Sequence, residues 1–247
     1  MPHEQVAIPT RDGECPTHVF TPAGEGPWPA AIIYMDALAI RPALLDMGQR
    51  LADHGYVVLL PDLFYRHGPY APLVPREVFA SEEARKVLVP LRATTGNARA
   101  AEDTGAFLSY LDGRADVAGE KVGVVGYCMG GAMALTAAAA YPDRIAAAAS
   151  FHGGNLATDA EDSPHRLAPG IKARVYVAGA DQDAHYPPEM AERLDRALTE
   201  AGVGHRCEIY EGALHGWTMT DVPVFNPEAA ERHWRALFRL FDETLRS

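Results

Sequence analysis

The stretch Lys121-Val-Gly-Val-Val-Gly126-Tyr127-Cys128-Met129-Gly130-Gly131-Ala-Met-Ala-Leu135 runs from a β-branched segment into an Ala-rich helical pattern, across a cysteine with glycine two residues before and two after it. This is the pattern of a nucleophile elbow with Cys where Ser is more usual. A sharp strand-to-helix turn holds its nucleophile in an unfavourable backbone region, so small residues are needed where neighbouring backbone passes close. Gly126 and Gly130 meet that need. The turn also sets Cys128 at a helix N-terminus, where unpaired N–H groups and the helix dipole favour anionic sulfur and a developing oxyanion. The amide of Met129 is the expected oxyanion donor. Two other readings compete. A dinucleotide-binding turn needs G-x-G-x-x-G, but the glycines fall at 123, 126, 130 and 131, and no acidic residue ends the following strand. A buried structural cysteine is the other, since free Cys packs as a small hydrophobe.

Outward from the elbow, apolar β-rich runs alternate with segments of helical period, which predicts βαβ units around a mostly parallel sheet. Strands are expected at Thr17 to Phe20, Ala30 to Met35, Tyr56 to Leu60, Lys121 to Val125, Ala146 to Phe151, Arg174 to Ala178 and Arg206 to Tyr210. Leu44, Leu45, Gly48 and Leu51 mark one amphipathic helix, and Trp234, Leu237, Phe238, Phe241 and Leu245 another, whose aromatic stripe reads as core. The turn-rich Gly24 to Pro29 leaves no room for a helix and predicts an antiparallel start. Pro61 to Gly96, rich in Pro, Gly and aromatics, reads as a long irregular binding loop or lid before helical patterning resumes near Asn97. The expectation is one α/β domain over residues 1–247, without repeats or linkers.

An elbow nucleophile needs a base and an acid from later strands, in that fold's order of nucleophile, acid, histidine. After Arg174 to Ala178 comes Gly179-Ala-Asp181-Gln-Asp183-Ala-His185-Tyr-Pro187; after Arg206 to Tyr210 comes Glu211-Gly212-Ala-Leu-His215-Gly216-Trp217. His215 is the candidate proton shuttle, with an acid fixing its tautomer and stabilising the imidazolium. Asp183 is preferred as that acid and Asp181 held in reserve; helix capping is the competing use of either. Asp183, His185, His205 and Cys207 could also be metal ligands, but no H-x-x-x-H or C-x-x-C spacing is present, and no metal is expected.

Composition narrows the partners. Twenty-two Lys plus Arg against 33 Asp plus Glu give a net charge of −11, the wrong sign for a nucleic-acid or anionic-membrane binder. Three cysteines, Cys15, Cys128 and Cys207, are an odd number in a 247-residue chain that is 48% apolar and needs no disulfide staples. With no leader-like N-terminus and no run of membrane-spanning length, a cytoplasmic protein acting on a small molecule is expected, as a monomer or small homo-oligomer.

At G-Y-C-M-G-G (126–131), A-G-A-D-Q-D (178–183) and A-L-H-G-W (213–217) the chain resembles the dienelactone hydrolase family of the α/β-hydrolase fold, in spacing and order over nearly its whole length. The resemblance implies a single α/β-hydrolase domain and hydrolysis of a small lactone or ester through an acyl-enzyme, with Cys128, His215 and Asp183 as triad and no metal or organic cofactor. It implies Ala37 as the second oxyanion donor and an acid touching the resting thiol, a place taken here by Asp36 in Tyr34-Met35-Asp36-Ala37. The family's substrate-carboxylate arginine shortly after the histidine is missing from His215-Gly-Trp-Thr-Met219. Arg41, Arg66 and Arg92 are candidate replacements, and Tyr65, Tyr70 and Trp217 candidate pocket aromatics. That gap keeps a general carboxylesterase or thioesterase open, beside a non-catalytic ligand-binding member of the fold.

Overall fold

The computed structural model describes residues 3–246, so Met1, Pro2 and Ser247 of the expected 1–247 domain lie outside the described residues. Among the described residues eight strands form one sheet: β1 (His3–Thr10), β2 (Gly13–Phe20), β3 (Trp28–Tyr34), β4 (Val57–Pro61), β5 (Val117–Tyr127), β6 (Ile145–Phe151), β7 (Arg174–Ala180) and β8 (His205–Tyr210). Their order is β1-β2-β4-β3-β5-β6-β7-β8. From β4 through β8 every pairing is parallel, while β1/β2 and β2/β4 are antiparallel. The predicted mostly parallel sheet is present, and each predicted strand overlaps an observed one.

Two features differ from expectation. β1 had not been read as a strand; it pairs with β2 through the tight turn at Arg11-Asp12. The Gly24 to Pro29 connection does lead between strands of opposite direction, but β4 lies between β2 and β3, so they are not paired neighbours. The antiparallel start is built instead by β1, β2 and β4.

The main helices are α1 (Pro42–Asp53), α5 (Asn97–Asp112), α6 (Met129–Ala140), α7 (Pro188–Glu200) and α8 (Pro227–Leu245). Between β4 and α5, where an irregular loop was predicted, sit a single 3-10 turn and the short helices α2 (Pro75–Val78), α3 (Glu82–Arg85) and α4 (Leu88–Arg92). The crossover β3–α1–β4 steps one way along the sheet, and β4–α5–β5 steps back past β3. Since crossovers are right-handed, that reversal puts α1 and α5 on opposite faces. Arg50 and His54 tie α1 to Glu231 and Asp242 of α8. Trp234, Leu237 and Phe241 of α8 are buried, as its stripe predicted. Helix α6 is buried on nine of its twelve residues, mostly Ala and Gly, which lets it lie close against the sheet as its central helix.

Candidate active site

Reversal of strand order leaves a crevice beyond the carboxyl ends of the two strands where it occurs, here β3 and β5. Their register, Tyr34 opposite Gly126, brings the segment after β3 beside Cys128. Cys128 caps α6 with φ 53° and ψ −114°, a left-handed backbone that strains a residue with a side chain. The glycines around it allow the approach. A Cβ on Gly126 would lie 1.9 Å from the Gly130 carbonyl oxygen, and one on Gly130 would lie 2.1 Å from that of Tyr34. A third position, Gly131, is equally tight, its Cβ falling 2.3 Å from Ser150 Oγ.

Loops after β7 and β8 complete the cluster. His215 Nε2 lies 3.0 Å from Cys128 Sγ, and His215 Nδ1 lies 2.6 Å from Asp183 Oδ2. The other carboxylate oxygen of Asp183 accepts the His185 amide at 2.8 Å. Asp181 plays another part: it accepts the Gly212 amide at 3.0 Å and so pins the loop that carries His215. Burial works against a charged His215, but its hydrogen bonds to Asp183 and Cys128, and their negative charge, raise its pKa to about 10. Burial would lift Asp183, yet the bond to His215 and its charge hold that carboxyl below the usual range. The arrangement can take a proton from the thiol onto the imidazole and return it to a leaving group.

The cluster opens into a cavity of about 700 Å³, lined in part by Ala37, Cys128, His215 and Met219 and covered by Phe79, Arg85, Leu88, Val89 and Arg92 from the short helices. Val89 is 64% exposed and Phe79 46%, an apolar rim continuous with the interior. Met129 opens α6, where an amide has no intrahelical acceptor, and Ala37 lines the cavity. Neither Arg85 nor Arg92 has an ion-pair partner among the described residues. A second cleft of about 520 Å³, along β7, β8 and α8, is rich in arginine, but four of its five arginines pair with Glu208 or Glu243 and neither Ser nor Cys lines it.

Several expected site residues stand elsewhere. Asp36 lines the cavity, yet its oxygens take Arg41 in a bidentate pair at 2.7 and 2.9 Å and the Leu38 amide at 2.9 Å, so it is turned to Arg41 rather than to the thiol. Arg41 is buried and also binds Asp221 at 2.6 Å, which occupies it with two carboxylates. Arg66 is held by Asp103 and Asp12, and Tyr65 by Thr10 and Asp103, both away from the cavity lining. Tyr70 donates to Asp62 at 2.8 Å and packs edge-on to Phe64, so it too is committed to the scaffold. Trp217 is 0% exposed and packs on Tyr210 and His152 behind the wall. Of the arginines considered from sequence, Arg92 reaches the cavity.

Three wall residues are not expected in the catalytic cluster from sequence, His185 being weighed there as a metal ligand alone. His152, at the carboxyl end of β6, bonds Thr218 Oγ1 at 2.7 Å and stands edge-on to His215, ring centroids 5.4 Å apart. Burial, then the charges of His215 and His233, push its pKa well below the ordinary value, so it stays neutral beside the charged imidazole. His185 approaches His215 from another side, centroids 5.3 Å apart. Arg85 is the third. Position after a strand's carboxyl end was the available signal for His152; nothing local marked Arg85.

Residues 15–245 match the model of the dienelactone hydrolase family. A carboxymethylenebutenolidase from Pseudomonas putida is 28% identical, the match covering 92% of this chain and 91% of that protein. Among solved structures, a dienelactone hydrolase-like promiscuous phosphotriesterase from metagenomic libraries superposes with a TM-score of 0.74 at 23% identity over 99% of both chains. A dienelactone hydrolase from Anabaena variabilis gives a TM-score of 0.68 at 18% identity, covering 99% of this chain and 98% of that one.

Proposed function

Because this chain belongs to the dienelactone hydrolase family and is a hydrolase of ester bonds, we propose that it cleaves a small lactone or ester by covalent catalysis on Cys128, with His215 as proton shuttle and Asp183 as its orienting acid. The observation that carries this reading is the unbroken contact chain from Asp183 Oδ2 to His215 Nδ1 at 2.6 Å and from His215 Nε2 to Cys128 Sγ at 3.0 Å. The sulfur of Cys128, its proton on His215, attacks the substrate carbonyl carbon. The carbonyl electrons move to oxygen, where the amides of Met129 and Ala37 receive the negative charge. Collapse breaks the C–O bond, and His215 gives its proton to the departing alkoxide; in a lactone that alcohol stays tethered to the acyl group. Water, deprotonated by His215, then attacks the thioester, releasing the acid and restoring the thiol.

Arg85 and Arg92, without ion-pair partners among the described residues, make an anionic substituent on the substrate favourable at the rim, in place of the arginine missing after His215. Amides are poorer substrates, since thiolate leaves far more readily than an amine from the tetrahedral intermediate. A small-molecule substrate and the cytoplasm are the proposed setting; the three free thiols fit a reducing compartment, and among the described residues no helix is long and apolar enough to cross a membrane. The apolar rim of Phe79, Leu88 and Val89 favours one second reading, a carboxylesterase or thioesterase for acyl chains. Hydrolysis of a dienelactone, p-nitrophenyl acetate and an acyl thioester by the native chain and by Cys128→Ala tests the proposal. Dienelactone turnover that vanishes in the variant supports it, ester or thioester turnover alone moves it to the second reading, and turnover that survives Cys128→Ala refutes it.

A further inference from the structure

Away from the elbow, at the outer edge of the sheet, side chains of three metal-ligating types converge. His205 and Cys207 are two residues apart on β8 and therefore share a face, and that face meets Asp195 of α7. One ligand atom from each lies within 4.8 Å of the other two. Helix-type spacings such as H-x-x-x-H do not detect this set, because its paired ligands sit on a strand and its third comes from a packed helix.

The hydrogen bonds fix which atoms face inward. His205 Nδ1 is 2.8 Å from the Val203 carbonyl oxygen. A carbonyl only accepts, so Nδ1 carries a proton, which makes Nε2 the ring atom available to a metal. That atom faces Asp195 Oδ1, 3.2 Å away. An imidazole nitrogen, a carboxylate oxygen and a sulfur thus face one another, an arrangement a shared cation satisfies. A backbone carbonyl holding the far nitrogen is also how metal-binding imidazoles are oriented. We propose that Asp195, His205 and Cys207 form a site for a divalent transition-metal ion, zinc by the chemistry of the donor set, that clips α7 to edge strand β8. One nitrogen, one sulfur and one carboxylate oxygen suit zinc better than the all-oxygen preferences of calcium or magnesium. The Asp195 side chain is 54% exposed, which leaves the remaining coordination position to water. Through α7 the clip braces the loop ahead of it, which carries Asp183 and His185, but the proposal does not depend on the catalytic reading.

Titration of the full chain with cobalt(II) and then zinc(II) tests it, in a Cys128→Ser background that removes the other thiol facing a histidine. The expected result is a near-ultraviolet thiolate-to-cobalt band that saturates at one equivalent and is bleached by zinc, together with zinc protection of Cys207 from iodoacetamide. Adding Cys207→Ser abolishes the band, and adding Asp195→Asn weakens zinc binding at least about tenfold. Asp195→Asn alters an exposed side chain, so its effect is not one of misfolding. Failure to bind in a chain that melts as the native one does, or a band that survives Cys207→Ser, overturns the proposal and leaves a proton as the cation between His205 and Asp195.

Discussion

Replacing Asp183 by Asn removes one negative charge and keeps the side chain's shape, and the structure sets what that costs. The rise of the His215 pKa from 6.5 to about 10 corresponds to on the order of 5 kcal/mol of preference for the protonated ring. Asp183 and Cys128 share that preference against the opposing effect of burial. If Asp183 supplies half, the imidazolium loses about 2–3 kcal/mol, or about thirtyfold to 160-fold in rate. An amide also offers an N–H where Nδ1–H needs an acceptor, which favours the wrong tautomer, so the total expected loss in kcat is about a thousandfold. Asp181→Asn is the matched control: it disturbs the bond to the Gly212 amide but leaves His215 its partner, and about tenfold or less is expected. Ester hydrolysis by both variants, with circular dichroism to establish folding, gives the comparison. An Asp183→Asn enzyme within tenfold of the native rate, or a larger loss in Asp181→Asn, refutes the assignment of the acid.

Gly130→Ala places a methyl 2.1 Å from the Tyr34 carbonyl oxygen, a clash with rigid backbone, and thermal melting is expected to show at least about 3 kcal/mol of lost stability. Arg85→Ala and Arg92→Ala should each raise KM about tenfold for a substrate bearing a carboxylate while leaving a neutral ester within twofold, checked by parallel kinetics on the two. Arg66→Met strands the buried Asp103 carboxylate, and urea unfolding should record about 3–5 kcal/mol of destabilisation, with KM unchanged in material that remains folded. Because the pKa of His215 is raised in the folded chain, its contribution to stability is complete below pH 6.5 and fades as pH rises to about 10. The urea midpoints of the native chain and His215→Gln should therefore converge over that interval.

The parallel strands and the elbow were legible because each is written locally: a β-branched run, or glycine at fixed offsets around one cysteine. β1 carries its signal weakly, with Pro9 and four polar or charged residues among its eight, and becomes a strand by pairing with β2. The helices over 75–92 hold four or five residues each, too few for a helical period to show. Long-range ion pairs were invisible for another reason. Arg66 finds Asp103 across 37 positions and Arg41 finds Asp221 across 180, so neither commitment could be read beside the arginine itself. Trp217 shows the limit for aromatics: sequence places it next to His215, but one residue of loop turns it from the cavity into the core.

Arg41 holds in one grip the turn carrying the Ala37 amide, through Asp36, and the segment beyond His215, through Asp221. The amide proposed for the oxyanion and the proposed base are thereby coupled mechanically, and a substitution that shifted one would drag the other. Among the described residues the short helices overhead share no such ion pair with the floor, and their side chains help to line the chamber. Descendants of this chain seeking new substrates would find the ceiling far more forgiving of change, so divergence in what is accepted should accumulate over residues 75–93 while the chemistry beneath is inherited intact.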